Sequence, residues 1–397
     1  MQQKIIVLLI IIILSALGLI ATDIYLPSMP SMAKYFDVGL NIVQFSISIY
    51  VLGFGIGALL YGPLSDRFGR KPVIIFCLIT SVLGSLCCSI ADNIIILFIG
   101  RLIQGFSLSG ASVIARSITK DISQNQIQMA KMGSILGIVF PFVTAMAPII
   151  GGYIEKYAYW RWNFIALILL TLILFGLIFK KLPETNTQLR VLSFKKILND
   201  YLEVISNKTF MKYNIISALV VAGTMSYQAI SSYLLQVKVG LSPEIFGYTS
   251  LIIAFSFVGG GLLNSKMVTN RGINKMLQVG CFLFIISGVL LFTFGIFDFI
   301  NVYTVMLPIM IFVAGSSIIY PTASAGAMNI FANKAGTAAS VYTFLQMIGG
   351  TMGSSLISIS KHLGQLQLGE LYIILGFIGF IIMLTITPKV IKQELIT

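Results

Sequence analysis

The stretch GALLYGPLSDRFGRK, residues 57–71, follows a long apolar run and places one acid and three bases within a few residues. A second stretch, GGLLNSKMVTNRGIN at 260–274, aligns with it without gaps. The two share Gly57/Gly260, Leu59/Leu262, Leu60/Leu263 and Gly69/Gly272. Each lies between the second and third apolar runs of its half of the chain. A repeat at matching places in the two parts of the chain predicts two equivalent halves.

The composition of the whole chain excludes an ordinary soluble domain. Of its 397 residues, 57% are hydrophobic and only 10% are charged, and the mean hydropathy is +0.97. Soluble domains are nearer half apolar and a quarter charged. Apolar runs long enough to cross a bilayer, about 20 residues each, recur along the chain. The sequence therefore predicts an all-α protein that crosses a membrane many times.

We place twelve membrane spans in two sets of six, separated by a long polar stretch. That stretch, residues 181–212, contains SFKKILNDYLEVI, an amphipathic segment typical of a helix lying along the membrane surface. We therefore predict an N-terminal six-helix bundle over 1–180, a linker over 181–212 and a C-terminal six-helix bundle over 213–397. The spans are predicted near 5–27, 42–63, 72–91, 94–117, 130–153, 162–180, 213–235, 245–264, 276–296, 302–327, 335–360 and 370–387.

The net charge of +13 is explained by topology. With both termini in the cytoplasm, 19 of the 26 Lys and Arg residues lie on the cytoplasmic side. Arg101 and Arg116 fall inside the fourth span, and five basic residues lie on the opposite side: Lys34, Lys156, Arg161, Lys238 and Lys361. This asymmetry is what the positive-inside rule predicts. No nucleic-acid partner is needed to explain the basic composition.

Asp23 is the only one of the 13 acidic residues that we place inside a span. Arg101 lies about seven residues into the fourth span, roughly 10 Å below the surface, at a depth similar to that of Asp23. Charges in a membrane normally pair or face a wet cavity. One interpretation is a static ion pair that fixes helix packing. The other is that Asp23 binds protons and cargo, with Arg101 beside it.

GPLSDRFGRKP, residues 62–72, favours a gating latch, a contact made in one conformation and broken in another. Gly62 and Gly69 permit close backbone approach. Asp66 is positioned to pair with Arg67 or Arg70, or to cap a neighbouring helix. The alternative is a charged loop that only obeys the positive-inside rule. Against that alternative, the second copy has Thr269 in place of Asp66.

Other residues are candidates for a central cavity or for helix contacts. The span GIVFPFVTAMAPIIGG, residues 137–152, carries Pro148, Gly151 and Gly152, which we interpret as a face where helices approach closely. The four cysteines and the single His362 have no metal-ligand spacing, and no metal site is expected. Further candidates for cavity walls are Tyr25, Gln104, Tyr227, Gln228, Tyr233, Tyr320 and Phe344.

Together these motifs resemble the major facilitator superfamily, and within it the Bcr/CflA-type drug:proton antiporters. GPLSDRFGRKP resembles the signature between the second and third spans, RLIQG (residues 101–105) that of the fourth span, and APIIGG (147–152) the antiporter signature of the fifth. TDIYLPSMP (22–30) and ARSITKD (115–121) are the more specific features. Ala147 stands where the wider antiporter pattern often has Gly. The sharpest motifs lie within residues 20–165.

The resemblance implies two pseudo-symmetric six-helix bundles around a cavity that opens alternately to either side. It assigns proton and substrate coupling to Asp23 with Arg101, the latch to Asp66 and Arg70, and the antiporter motif to the region of Pro148. We therefore expect a proton-coupled exporter of drugs, metabolites or siderophores in a bacterial inner membrane. It would work as a monomer, with protons, cargo and the lipid bilayer as partners, no cofactor, and the proton gradient as its energy source.

Three other functions fit the same composition. A proton-coupled importer or a uniporter would use the same fold, although APIIGG favours exchange. An enzyme in the membrane would need a nucleophile and base or metal ligands at membrane depth, and no histidine lies inside a predicted span. A channel would differ from a carrier in its kinetics, with large unitary currents instead of slow, saturating turnover. We expect a transporter and not an enzyme.

Overall fold

A computed structural model describes residues 2–122, 126–186, 189, 193–360 and 364–385. Within these ranges the chain is helical, with short turns and no β-strand. The predicted loop residue His362 and the predicted cytoplasmic C-terminus, from residue 386 onward, lie outside the described residues.

The first half of the chain, α1 to α7, contains six long helices and one short one. The short helix α2 follows α1 after a 3-10 turn at Leu26–Ser28. The bounds are α1 Gln2–Asp23, α2 Met29–Phe36, α3 Leu40–Phe68, α4 Arg70–Ser89, α5 Ile94–Ile122, α6 Gln126–Tyr157 and α7 Arg161–Lys181.

The second half, α9 to α13, is preceded by the linker helix α8. The predicted amphipathic segment does form a helix, and the side chain of Ser193 caps its N-terminus. A π-helical segment, Tyr233–Lys238, extends α9. The bounds are α8 Phe194–Ser206, α9 Lys208–Ser232, α10 Pro243–Ile296, α11 Val302–Met328, α12 Ala335–Ile359 and α13 Gln365–Leu384.

The helix α10 is long enough to account for two of the twelve predicted spans. At 1.5 Å per residue its 54 residues would extend about 80 Å, more than twice the thickness of the hydrocarbon core. The backbone of Gly272 is not helical and divides α10 in two. Counting both parts, six long helices lie on each side of the linker. Nine helices within the described ranges, with α10 counted once, are long and apolar enough to cross a membrane.

The repeat found in the sequence appears in the backbone at Gly69 and Gly272. Gly69 has φ 95° and ψ 157°, and Gly272 has φ 77° and ψ 163°, conformations that residues with a side chain rarely adopt. Between the second and third spans of the first half, where we predicted a short charged turn, α3 and α4 are separated by Gly69 alone. Helix continues on both sides of a single glycine, because one residue in this conformation is enough to reverse the chain's course.

Packing joins neighbouring helices within each half and also joins the halves. In the first half, α3 and α4 pack against α5; in the second, α10 packs against α11 and α13. Contacts between the halves run mainly from α3 to α12 and from α6 to α10.

Asp23 is not the only acid within a helix that spans the membrane, since Glu370 lies in the second turn of α13, exposed. The limits that we predicted for the two bundles stay a prediction.

Candidate functional site

Asp23 is the last residue of α1, where the helix breaks before the short α2. Its side chain is 9% exposed. Gln228 of α9 donates a hydrogen bond from Nε2 to Asp23 Oδ1 at 2.7 Å. One turn further along α9, the hydroxyl of Ser232 donates to the carbonyl of Leu26. The acid of the first half is therefore held by an amide of the second half.

Arg101 is fully buried within the first half, on α5. Its Nη1 donates to the Ala21 carbonyl at 2.9 Å and to Gln104 Oε1 at 2.5 Å. The guanidinium lies 4.4 Å from the Tyr25 ring centroid and 4.2 Å from that of Tyr50. Cation–π contacts of this kind gain strength where water is excluded. No ion pair joins Arg101 to Asp23 among the described side chains.

Close approach of α4 and α5 supports this buried guanidinium. A Cβ on Gly84 would lie 2.8 Å from the backbone nitrogen of Gln104, and one on Gly100 would lie 2.6 Å from Cys88 Sγ. Because only glycine fits at both points, the two helices touch along their backbones. Gln104 in turn donates from Nε2 to Ser85 Oγ at 2.8 Å. Arg101 is thus fixed by a chain of polar contacts that ends on α4.

A cavity of about 230 Å³ lies between α1, α6, α9, α10 and α11. Asp23, Tyr227 and Gln228 line it, together with Pro148. Most of the other lining side chains are apolar or aromatic, and Asp23 is the only carboxylate among the lining residues that the structure describes. The cavity is therefore an apolar chamber between the two halves with one acid in its wall.

The other predicted cavity residues lie elsewhere. Tyr25 and Gln104 are fully buried and contact Arg101. Phe344 of α12 packs against Gly55 of α3, at the contact between the halves. Tyr320 is 40% exposed, and Tyr233 lies in the π-helical segment with its ring 5.8 Å from Lys238 Nζ.

The paired glycines of α6 face two different neighbours. A Cβ on Gly151 would lie 1.7 Å from the carbonyl oxygen of Ile24, the residue after Asp23. A Cβ on Gly152 would lie 2.3 Å from the carbonyl oxygen of Pro243, at the start of α10. A Cβ on Gly247 of α10 would lie 2.6 Å from the carbonyl oxygen of Pro148. These glycines bring α6 against both the end of α1 and the second half.

Polar contacts continue this interface at the Asp23 end, the end of the helix bundle where α1 and α6 terminate. Lys156 Nζ pairs with Glu244 Oε1 at 2.7 Å, and the hydroxyls of Tyr153 and Tyr248 are 2.9 Å apart. The two halves are therefore joined at this end.

At the opposite end, the latch residues meet around Arg70. Its Nη1 lies 2.6 Å from Asp66 Oδ1, and its Nε lies 3.1 Å from Asp121 Oδ2, at the end of α5. Gly62 faces Ser340 of α12, whereas Arg67 lies over the ring of Phe68. Arg70 thus connects the ends of α3, α4 and α5 through two carboxylates.

Glu184, in the linker, completes this latch. Its two carboxylate oxygens accept hydrogen bonds from the backbone N–H groups of Arg70 at 2.9 Å and Lys71 at 3.0 Å, the first residues of α4. A carboxylate at a helix N-terminus is favoured by both hydrogen bonding and the helix dipole. Partial burial alone would raise the pKa of Glu184, but the hydrogen bonds from these and neighbouring backbone groups hold that pKa below its usual value.

The linker helix α8 contacts both halves near the latch. The Tyr201 hydroxyl donates to the Leu59 carbonyl of α3 at 2.6 Å. Lys334, before α12, pairs with Asp200 at 2.7 Å and Glu203 at 2.6 Å. Asp121, Glu184 and Tyr201 were not predicted as site residues. ARSITKD, which ends at Asp121, was a usable signal, whereas nothing local marks Glu184 or Tyr201.

These features define a class: a helical membrane protein with two equivalent halves, a chamber between them and polar contacts at both ends. Residues 8–354 match the Major Facilitator Superfamily, and the chain belongs to this family. It is therefore a multi-pass membrane transporter and not an enzyme, and the resemblance noted in the sequence is confirmed.

Individual relatives agree with this assignment. Multidrug resistance protein D of Escherichia coli (strain K12) is 27% identical over 396 residues, covering 99% of this chain and 98% of that protein. The bicyclomycin resistance protein homolog of Haemophilus influenzae is 28% identical over 351 residues, 88% of each chain. The crystal structure of a D-xylose-proton symporter superposes with a TM-score of 0.78 at 16% identity, covering 97% of this chain and 98% of that one. The last likeness establishes the fold alone.

Proposed function

We propose that the protein is a proton-coupled antiporter that exports small molecules by alternating access. One observation carries this proposal: among the described residues that line the chamber between the two halves, Asp23 is the only charged side chain. A carboxylate in such surroundings costs several kcal/mol when charged, so it pairs, binds a proton or binds a cationic group. The resistance proteins among the relatives support export as the direction.

The chamber wall indicates the chemistry of the cargo. Its aromatic and aliphatic side chains, such as Phe140, Phe246 and Phe312, favour a compact apolar body. Asp23 favours a positive group or a strong hydrogen-bond donor. Gln228 Oε1 has no hydrogen-bond partner in the described part of the chain and is available to a donor on the cargo. We therefore expect cationic or neutral cargo with at least one donor, and poor transport of anions.

In the transport cycle that we propose, a proton and the cargo compete for Asp23. A proton arriving from the acidic outer side neutralises the carboxylate and weakens its hold on the cargo, which leaves. The protonated carrier then reorients, releases the proton to the cytoplasm and binds new cargo. Coupling requires only that each ligand favour a different state or exclude the other. Moving one charge inward gains about 2.3 kcal/mol per 100 mV.

The setting of this cycle follows from the charge asymmetry of the sequence. We propose a bacterial inner membrane with both termini in the cytoplasm, so that the latch around Arg70 faces the cytoplasm and the Asp23 end faces outward. The chamber lies within one chain, which favours a working monomer. The proton gradient supplies the energy, and no cofactor is required.

Proton-coupled uptake is the second candidate, since the fold is shared with a D-xylose-proton symporter. The direction of coupling separates the two. A growth screen in a bacterial strain lacking its own exporters, scored for resistance that depends on Asp23, would first identify a cargo. Purified protein in liposomes would then be given that cargo and a pH gradient of either sign. Export by exchange requires cargo to move against the proton flow. Cargo that moves with the protons would establish uptake instead.

A further inference from the structure

The hydrogen bond between Asp23 and Gln228 spans the boundary between the halves. The two residues lie 205 positions apart, on α1 and α9. Gln228 and Ser232 are four residues apart on α9 and therefore share a face of that helix. Gln228 contacts Asp23 at the end of α1, and Ser232 contacts the Leu26 carbonyl in the 3-10 turn that follows. This face of α9 is bonded directly to the carboxylate at the centre of the proposed cycle.

Arg101, in the same half as Asp23, has hydrogen-bonding capacity that this arrangement leaves unused. Its Nη1 serves Ala21 and Gln104, but Nε and Nη2 are buried and have no hydrogen-bond partner within the described residues. Tyr25 and Tyr50 lie against the guanidinium as cation–π partners and do not satisfy these N–H groups. Leaving a buried charged donor unpaired is costly. An acceptor that reaches these nitrogens in another arrangement would recover that cost.

We propose that Gln228 is a positioning residue that holds Asp23 at the boundary while the Asp23 end is closed. When α9 moves away, Asp23 leaves Gln228 and binds the free Nε and Nη2 of Arg101. Arg101 lies near this acid, because its Nη1 donates to the carbonyl of Ala21, two residues before Asp23 at the end of α1. This inference rests on the proposed function, because it gives the acid a different partner in each arrangement of the carrier.

The exchange explains how closure is linked to the acid. In the closed arrangement the carboxylate belongs to a contact between halves, and in the open one it belongs to a contact within the first half. Its bond to Gln228 therefore stabilises closure, and its bond to Arg101 stabilises opening. Removing the Gln228 donor should shift the population toward the open arrangement even when no cargo and no gradient are present.

The experiment measures the distance between two spin labels in the full-length protein in lipid. Lys34→Cys on α2 and Val237→Cys on the π-helical segment are exposed, and these two elements pack together. The four native cysteines, at 77, 87, 88 and 281, would first be replaced. Gln228→Met keeps the length of the side chain and removes the donor. Ser226→Ala, on the same helix, is the control, because its hydroxyl donates within α9, to the Ala222 carbonyl.

We expect Gln228→Met to reduce the ratio of short to long distances about tenfold, because it loses a hydrogen bond to a charged group. We expect Ser226→Ala to leave that ratio unchanged. An unchanged ratio in Gln228→Met would overturn the positioning role. Arg101→Lys keeps the charge but loses the Nε and Nη2 pair, so adding it to Gln228→Met should restore part of the short-distance population. If it does not, the transfer to Arg101 is wrong. Neither result depends on transport, so failure here is distinct from failure of the proposed function.

Discussion

Gly151 lies directly against the carbonyl of Ile24, at a distance where a Cβ would come within 1.7 Å of the oxygen. This contact sets the end of α1 on α6 beside Asp23. The next residue, Gly152, makes the corresponding approach to Pro243 of the second half. Of these two adjacent glycines, one packs beside Asp23 and the other packs against the second half, at the end of the bundle that is closed.

Gly152→Ala should weaken that closure. The added methyl would meet backbone, which cannot yield as a side chain does, and overpacking of this kind costs about 1–3 kcal/mol. We expect greater labelling of a cysteine at Thr249, in the chamber wall, by a maleimide that does not cross membranes and is added from the Asp23 side.

Gly261→Ala is the matched control, because a Cβ there meets nothing within 4 Å. It should leave labelling unchanged and, as alanine favours helix by about 1 kcal/mol over glycine, should not lower stability. Equal labelling in Gly152→Ala and Gly261→Ala would argue against the role assigned to Gly152.

The Lys156–Glu244 pair should contribute to the same closure. Lys156→Glu places two carboxylates together and is expected to raise labelling of the Thr249 cysteine about two- to fivefold, in the range for exposed ion pairs. The exchange Lys156→Glu with Glu244→Lys should return labelling toward the original level. If the double exchange labels as strongly as the single variant, the charge pair does not stabilise closure.

Glu184 should stabilise the latch as a helix cap. Glu184→Ala is expected to cost about 1 kcal/mol, measured as a lower midpoint of thermal unfolding in detergent. Because the pKa of Glu184 is lower in the folded protein than its ordinary value of 4.5, the contribution of its charge is present above that value. It is lost as the pH falls through the lower folded value.

The difference in midpoint between the original protein and Glu184→Gln should therefore be constant near neutral pH and shrink in acid. Glu370→Gln, on an exposed face of α13, is the control and should show no such difference. A difference that persists unchanged in acid would contradict the cap.

The periodic part of the fold could be predicted from the sequence because it depends on local properties. Long apolar runs predicted the spanning helices, and the repeat at residues 57–71 and 260–274 predicted two equivalent halves. The length of the turns could not be predicted, since charged residues such as Asp66 and Arg67 continue a helix as readily as they form a loop. Their helical conformation is set by the contacts of the latch.

Most of the site depends on how each helix is rotated about its axis, which single-sequence reasoning does not determine. Asp23 and Arg101 stood out because charges are rare in spans. The sequence did not show that the carboxylate of Asp23 is held by Gln228 and not by Arg101, because this depends on the packing of α1 against α9. Glu184 gave no signal because a glutamate in a polar linker is ordinary, and only its position over the first turn of α4 gives it a role.

The central claim is that transport is coupled to protons through Asp23, and the most direct test is cargo flux in liposomes under an imposed pH gradient. Asp23→Asn keeps the size of the side chain and can still accept the hydrogen bond from Gln228, so the protein should fold and insert. We predict that this variant loses flux driven by the gradient, while the original protein moves cargo against the proton flow. Undiminished gradient-driven flux in Asp23→Asn would contradict the account.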